Sequence, residues 1–242
     1  MNIIKLVGLS FLALVLYVGV AFSQSTKCQI AYIEGVGDQD VAIKILGDVF
    51  KQAGIPVAFK ALPGDRAKAM AIEGTMDGEA ARIFSYGEKN PMLLRVPTTY
   101  YGLETTAYAK KTSNILIKNK QDLDKYKIAV VKGVQHSKDM VEGLENVTVV
   151  EDGETMMKLV ETGKVDIALT STVNGDGLLK KMGLNEIERV GTLTRLVEFI
   201  YFNKKNSDLV PKVDEAIKNM SQSGELTKLT EKYETEYLDS MK

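Results

Sequence analysis

The chain is predicted to fold as an α/β protein with two lobes, each built on a largely parallel sheet. Three observations carry this expectation. A strand–helix–strand–helix–strand run occupies residues 28–82, a second such run begins at 127, and long extended segments cover 96–110 and 194–203. Alternating strands and helices favour parallel pairing. Two long extended segments supply the paired crossovers of a hinge.

The elements follow in order. Residues 28–33 form a short apolar strand. Residues 38–53 form a helix, because Val41, Ile45, Leu46 and Val49 share one stripe and Gly54 stops it. Asp38 is its expected N-cap. A strand over 55–61 and a helix over 63–73 follow, and Gly74-Thr75-Met76-Asp77-Gly78 turns the chain into a strand ending at Arg82. After the extended segment 96–110, rich in Thr and Tyr, strands are expected over 127–131, 147–150 and 165–170, with helices over 135–144, 153–161 and 174–182. Helices over 209–221 and 226–237 close the chain. Crossings near Ala107 and Phe202 divide it into one lobe of 24–108 plus 203–242 and a second of 109–202.

The start of the chain points to export. One lysine, Lys5, precedes an apolar run over 6–20, and small residues stand at Ala21 and Ser23. This is the pattern of a Sec-type signal peptide, residues 1–23, cleaved near Ser23. The rival is an uncleaved anchor, since the run approaches the roughly 17 residues that span a bilayer. Ser25-Thr26-Lys27 before Cys28 is unlike a lipoprotein signal, so a soluble periplasmic protein is expected.

Without that segment 30 basic groups face 32 acidic ones, interspersed along the chain. A nucleic-acid partner would demand a concentration of cations. The single cysteine allows no internal disulfide, so stability must come from the core.

The sequence resembles the extracellular solute-binding proteins of family 3, receptors for amino acids and other small polar solutes that serve ABC transporters. The likeness rests on the block from Arg66 to Arg82, on Lys127-Ile128-Ala129-Val130-Val131-Lys132-Gly133 before a helix, on Gly163-Lys164-Val165-Asp166-Ile167-Ala168-Leu169, and on Gly224-Glu225-Leu226. It implies a periplasmic-binding-protein-like type II fold, two α/β lobes joined by a two-segment hinge, that closes on a small-molecule ligand and presents itself to a permease. A monomer without cofactor or metal is expected.

Departures from the family shape the candidate site. The arginine that grips an α-carboxylate in its amino-acid receptors falls here near Thr105 or Thr106, and the acidic residue that receives the α-ammonium falls near Ser171. The first loop, Glu34-Gly35-Val36-Gly37-Asp38, lacks the family's aromatic platform. Arg82 is the expected replacement cation, because a guanidinium fork matches a carboxylate with two parallel bonds. The ligand expected is therefore small, polar and anionic or amino-acid-like. The alternative role for Arg82 is an ion pair with Glu79 or Glu104.

Further candidate contacts are Arg66 on the preceding helix, Tyr101 after the Pro97 turn, and Gln135 and His136 at a helix start that presents free N–H groups. Thr105, Thr170, Ser171 and Tyr32 complete the set, each equally able to serve as a cap or packing residue.

No enzyme is expected. One histidine and one cysteine make no zinc cluster, Ser137 lacks a nucleophile elbow, and Gly35-Val36-Gly37 is followed by Asp40 where a dinucleotide motif needs glycine. Two alternatives accompany the transport reading. One is a sensory or docking protein with a membrane signalling partner; the other is a relative of the cyclohexadienyl dehydratases, with Glu79, Glu104 or Glu34 as general acid.

Overall fold

The computed structural model describes residues 27–241, so the expected signal segment lies outside the described residues. β1 (Cys28–Ile33) is followed by α1 (Gly37–Gln52), whose Val41, Ala42, Ile45, Leu46, Val49 and Phe50 are all buried. That spacing is the apolar stripe of a helix packed on a sheet. β2 (Val57–Leu62), α2 (Gly64–Glu73), β3 (Gly78–Ile83), a short α3 (Phe84–Lys89), β4 (Leu93–Arg95) and β5 (Tyr101–Lys110) complete the first run.

The second run comprises β6 (Ile128–Val131), α4 (Gln135–Val141), β7 (Val147–Val150), α5 (Gly153–Glu161), β8 (Ile167–Ser171) and α6 (Thr172–Met182). The long β9 (Ile187–Asn203) then leads into α7 (Leu209–Gln222) and α8 (Glu225–Ser240). None of the described helices is long and apolar enough to cross a membrane.

All strands join one nine-stranded sheet in the order β2-β1-β3-β9-β5-β8-β6-β7, with β4 also on β9. β1 lies parallel to β2 and β3, and β6 lies parallel to β7 and β8. Each half is thus a βαβαβ layer, as the alternation predicts. β5 and β9 pair antiparallel between Tyr101↔Glu198 and Lys110↔Ile187 and stand between the halves. Ala107 lies opposite Leu169 of β8, and Phe202 opposite Gly78 of β3.

Two local expectations are corrected, and one short helix is added. Val36, not Asp38, is the N-cap of α1, and Asp38 sits in the helix's first turn. β9 begins at Ile187 rather than 194, because its polar first half is held by pairing with β5 and not by burial of alternate residues. α3, six residues long, carries no apolar period by which a sequence could announce it.

One core surrounds α1 and takes in Val96, Ile200, Phe202, Val213, Ile217 and Met220. Two others flank the second half, around Leu123, Ile128 and Leu169 on one side and Met156, Met157 and Val160 on the other. Phe202 is wholly buried, and its ring meets Phe50 edge-on with centroids 6.3 Å apart. Phe202→Ala should therefore cost about 3–5 kcal/mol of stability, seen as an earlier urea midpoint; a loss under about 1 kcal/mol would mean that the site collapses around the gap.

Candidate functional site

The site begins with an irregularity in β3. Residues three apart on a regular strand point to opposite faces, yet Glu79 and Arg82 meet. The register of β3 against β9 shifts between them, and Ala81 adopts φ +49°. This bulge turns Arg82 onto the face of Glu79. Ala81 is held by hydrogen bonds at both backbone groups: its N–H donates to Tyr100 Oη at 3.0 Å, and its carbonyl accepts from Gln39 Nε2 at 2.8 Å.

Arg82 is only 3 % exposed, and Glu79 is fully buried. Arg82 donates to Glu79 Oε1 from Nε at 3.2 Å and from Nη2 at 2.5 Å, while Tyr86 Oη donates to Glu79 Oε2. The guanidinium also stacks on the Tyr86 ring, 4.7 Å from its centroid. Burial opposes its charge, but Glu79, Tyr86 and Glu198 outweigh burial and keep it protonated. Its remaining reach is toward two backbone carbonyls, Gly64 and Gly133, each at 3.4 Å. The expected anion fork is therefore engaged by the chain itself in this conformation.

Gly64 and Gly133 belong to opposite halves and touch through their backbones. A Cβ on Gly64 would stand 3.0 Å from Gly133 Cα and O, so tight that one backbone would have to give by a few tenths of an ångström. The halves also meet where Gly37 N–H donates to Asn174 Oδ1 at 2.9 Å, where Ser171 Oγ donates to Asp38 Oδ2, and where Ser85 Oγ donates to Asp139 Oδ2 at 2.8 Å. Lys89 pairs with the same Asp139 at 2.6 Å. The clamshell is closed.

Between the halves lies a cavity of about 20 Å³ for the centre of a water molecule, space for about one water. Its polar wall consists of Asp38, Gln39, Arg82, Gln135, His136 and Glu198, and its apolar wall includes Ile33, Val36, Leu103 and Val134. A second cavity of about 240 Å³ lies beyond, lined by Lys68, Tyr86, Lys132 and Lys138 and sharing Gly64, Gly133, Arg82 and Gln135 with the seam.

The titrating groups of the small cavity are all perturbed by burial. It pushes Asp38 up to about 6 against the opposing hydrogen bond from Ser171. It drives Glu198 well above the carboxylate range, helped by the charge of Asp38 and opposed by Arg82. His136 falls to about 4 by burial, opposed by Asp139, so its ring is neutral at pH 7. Asp38 Oδ1 and Glu198 Oε2 are buried with no hydrogen-bond partner among the described residues.

The nine expected contact residues separate into three groups. Arg82, Gln135 and His136 line the cavity, and Thr105 Oγ1 reaches His136 Nδ1 at 3.0 Å from behind it. Thr170 and Ser171 are buried at the seam, where Thr170 Oγ1 accepts from Asn174 Nδ2 at 2.9 Å and Ser171 caps α6 while holding Asp38. The other three lie elsewhere. Arg66 is exposed beside Glu34 and Lys132 on an outer cavity, Tyr101 turns to α8 and donates to Glu234 Oε1 at 2.9 Å, and Tyr32 packs at the edge of the first core.

Asp38, Gln39 and Glu198 were not anticipated as wall residues. A signal existed for Glu198, an acid alone in the apolar run Val197-Glu198-Phe199-Ile200. Such a residue is buried against its chemistry and invites a functional explanation.

Two α/β halves on a shared pair of strands, closed over a polar-walled cavity, define a two-lobed solute-binding protein. Residues 39–236 match the model of the bacterial extracellular solute-binding proteins, family 3, and the chain belongs to that family. It is 24% identical over 180 residues to an uncharacterized protein of Shewanella oneidensis, covering 72% of this chain and 68% of that one. Among solved structures it resembles the arginine-, lysine-, histidine-binding protein ArtJ of Geobacillus stearothermophilus, with TM-score 0.71, 18% identity and coverage of 86% and 95%. It also resembles a histidine kinase sensor domain, with TM-score 0.74, 13% identity and coverage of 86% and 95%.

Two tests address this geometry. Asp38 protonates more readily folded than unfolded, so it favours the fold at low pH and loses that advantage as pH rises from its ordinary 3.8 through about 6. Asp38→Asn should accordingly be more stable than the parent by up to about 3 kcal/mol above pH 7, the gain vanishing toward pH 4; a pH-independent difference in urea unfolding would contradict this. Gly64→Ala, at a position outside the left-handed region, should keep the fold but hold the lobes apart, giving a larger radius of gyration in small-angle scattering than the parent. An unchanged radius would remove this contact as the stop on closure.

Proposed function

We propose that this protein captures a small polar solute between its lobes in the periplasm and delivers it to an ABC-transporter permease. The observation that carries the reading is the seam: polar groups from α1, β3, α4 and β9 converge on one cavity, and two carboxylate oxygens there lack partners. Buried polar atoms without partners are rare and costly, and a ligand that supplies donors relieves that cost.

The closed cavity is too small for an amino-acid-sized molecule. Capture needs the lobes to part at Gly64 and Gly133, which joins the seam to the larger cavity through Arg82 and Gln135, residues common to both. We assign the crossing to the stretch between Tyr101 and Thr105 on β5 and between Thr194 and Glu198 on β9, where pairing passes from β3 to β8, inside the boundaries expected at 108/109 and 202/203. The protein acts as a monomer and as a binder, without a catalytic step.

A second reading, delivery of the same signal to a membrane sensor, is favoured by the likeness to a histidine kinase sensor domain. A bilobal binder serves either output.

Native mass spectrometry before and after denaturation and refolding, followed by a thermal-shift screen of small amines, amino acids and dicarboxylates, tests capture itself. A co-purified small mass lost on refolding, or a rise in melting temperature with one class, is expected, since ligand at 100 times its dissociation constant adds about 2.7 kcal/mol. Neither signal from any class would end the capture reading.

A further inference from the structure

We propose that the pocket between Asp38 and Glu198 seats the ammonium group of a carboxylate-free organic amine, with an alkyl diamine as the ligand class. The assignment rests on the capture reading and narrows it.

The argument is one of charge and donors. Asp38 and Glu198 are each 2 % exposed, and both face the same cavity. Each keeps one oxygen, Oδ1 and Oε2, without a donor among the described residues. A buried carboxylate is tolerated when it is paired, and an isolated one costs several kcal/mol. No resident group fills that role. Arg82, the only lysine or arginine in the wall, has Nε and Nη2 on Glu79 and its other contacts on the carbonyls of Gly64 and Gly133. His136 offers no positive charge, because burial keeps it neutral and its Nδ1 is engaged with Thr105.

What is missing is a compact cation with several N–H donors. An alkylammonium has three, enough for both free oxygens, and its head is no larger than the water the closed cavity admits. The same wall argues against an α-carboxylate on the ligand: its one guanidinium is already paired with Glu79, and an anion beside Asp38 is repelled wherever Asp38 is ionised. This reverses the anionic ligand expected from Arg82 as a free cation. The second amine of a diamine would enter the wider cavity beyond the Gly64–Gly133 contact, where two of the three lysines are already paired, Lys68 with Asp65 and Lys132 with Glu151.

The pocket also differs from a carboxylate pair on an exposed face, where surrounding water supplies donors. Here Ser171 and the backbone of α1 hold the Asp38 carboxylate, so its free oxygen is fixed before any ligand arrives, while Glu198 is buried on β9 at the same cavity. Preorganised acceptors of that kind favour binding because little rotamer freedom remains to be lost.

Isothermal titration of the purified mature protein with 1,4-diaminobutane, L-lysine, L-glutamate and succinate tests the assignment, after refolding to remove any co-purified molecule. The expected result is binding of 1,4-diaminobutane, with L-lysine at least tenfold weaker and the two acids silent. Asp38→Asn and Glu198→Gln should each weaken 1,4-diaminobutane by at least tenfold while melting no lower than the parent at pH 8, which separates a lost contact from a lost fold. Binding of L-glutamate or succinate without the amine would overturn the ammonium seat and leave solute capture standing. L-lysine binding as tightly as the diamine would overturn the exclusion of carboxylates. Unchanged amine affinity in both variants would overturn the seat even though the amine binds. Silence from all four probes, with no mass released on refolding, would overturn the seat together with the capture reading on which it stands.

Discussion

Both halves of the molecule depend on the pairing of β5 with β9. Each is a layer of parallel strands that would otherwise end in an unpaired edge, and an open edge is a liability. β9 closes the first layer by pairing with β3 and β4, and β5 closes the second by pairing with β8. Because β5 and β9 also pair with each other, the two edges become one continuous sheet. The antiparallel ladder bends at register shifts between Thr105 and Thr106 and between Ala107 and Tyr108. Bulges increase local twist and interrupt the ladder, and both shifts fall where β5 also pairs with β8.

Charge burial at the seam follows two opposite strategies. Arg82 and Glu79 neutralise each other completely, with Tyr86 satisfying the second carboxylate oxygen. Arg82 also reaches the carbonyls of Gly64 and Gly133, one from each half. Asp38 and Glu198 lie nearby, each with one buried oxygen that has no partner among the described residues. Their raised pKa values record the penalty, since each holds a proton more readily than in water. Strain of this kind persists where surrounding packing over-determines it and is common at functional sites. The same two groups therefore weaken the fold at the pH where they must lose their protons.

The regular elements were legible because periodicity reports burial. α1, α5 and β1 fall within a residue of expectation, since their apolar spacing matches one face of a helix or a buried strand, and β7 does so as an edge strand of β-branched residues, none of them buried. Gln135 and His136 were legible as wall positions for a different reason: a helix following a strand starts at the sheet's carboxyl edge, where clefts form. Tyr101 illustrates the limit. Its place on β5 was clear, but which way it faced depended on α8, more than a hundred residues later. Asp38 and Glu198 were hidden similarly, the first behind an ordinary capping role and the second inside an apolar strand, and only the closing of α1 against β9 brings them together. The bulge at Ala81 left no trace at all, because alanine does not signal a left-handed backbone as glycine does.

Glu198 has a further property by virtue of its register. It lies opposite Ile83 of β3 and opposite Tyr101 of β5, the place where β9 stops serving one layer and begins to serve the other. Asp38 reaches across the seam to Ser171 of the second lobe. A ligand held by both would touch the crossing strand and the interlobe contact at once. A ligand shifts a conformational equilibrium only by the difference in its affinity for the two states, and that difference is largest when its contacts exist in one state alone. Separation of the lobes takes His136, Gln135 and Ser171 away from the Asp38 side while leaving Glu198 in place. The contacts that would separate the two states for a solute at this junction are therefore those of Gln135 and His136, the second-lobe groups lining the same cavity, while Asp38 and Glu198 stay together in both.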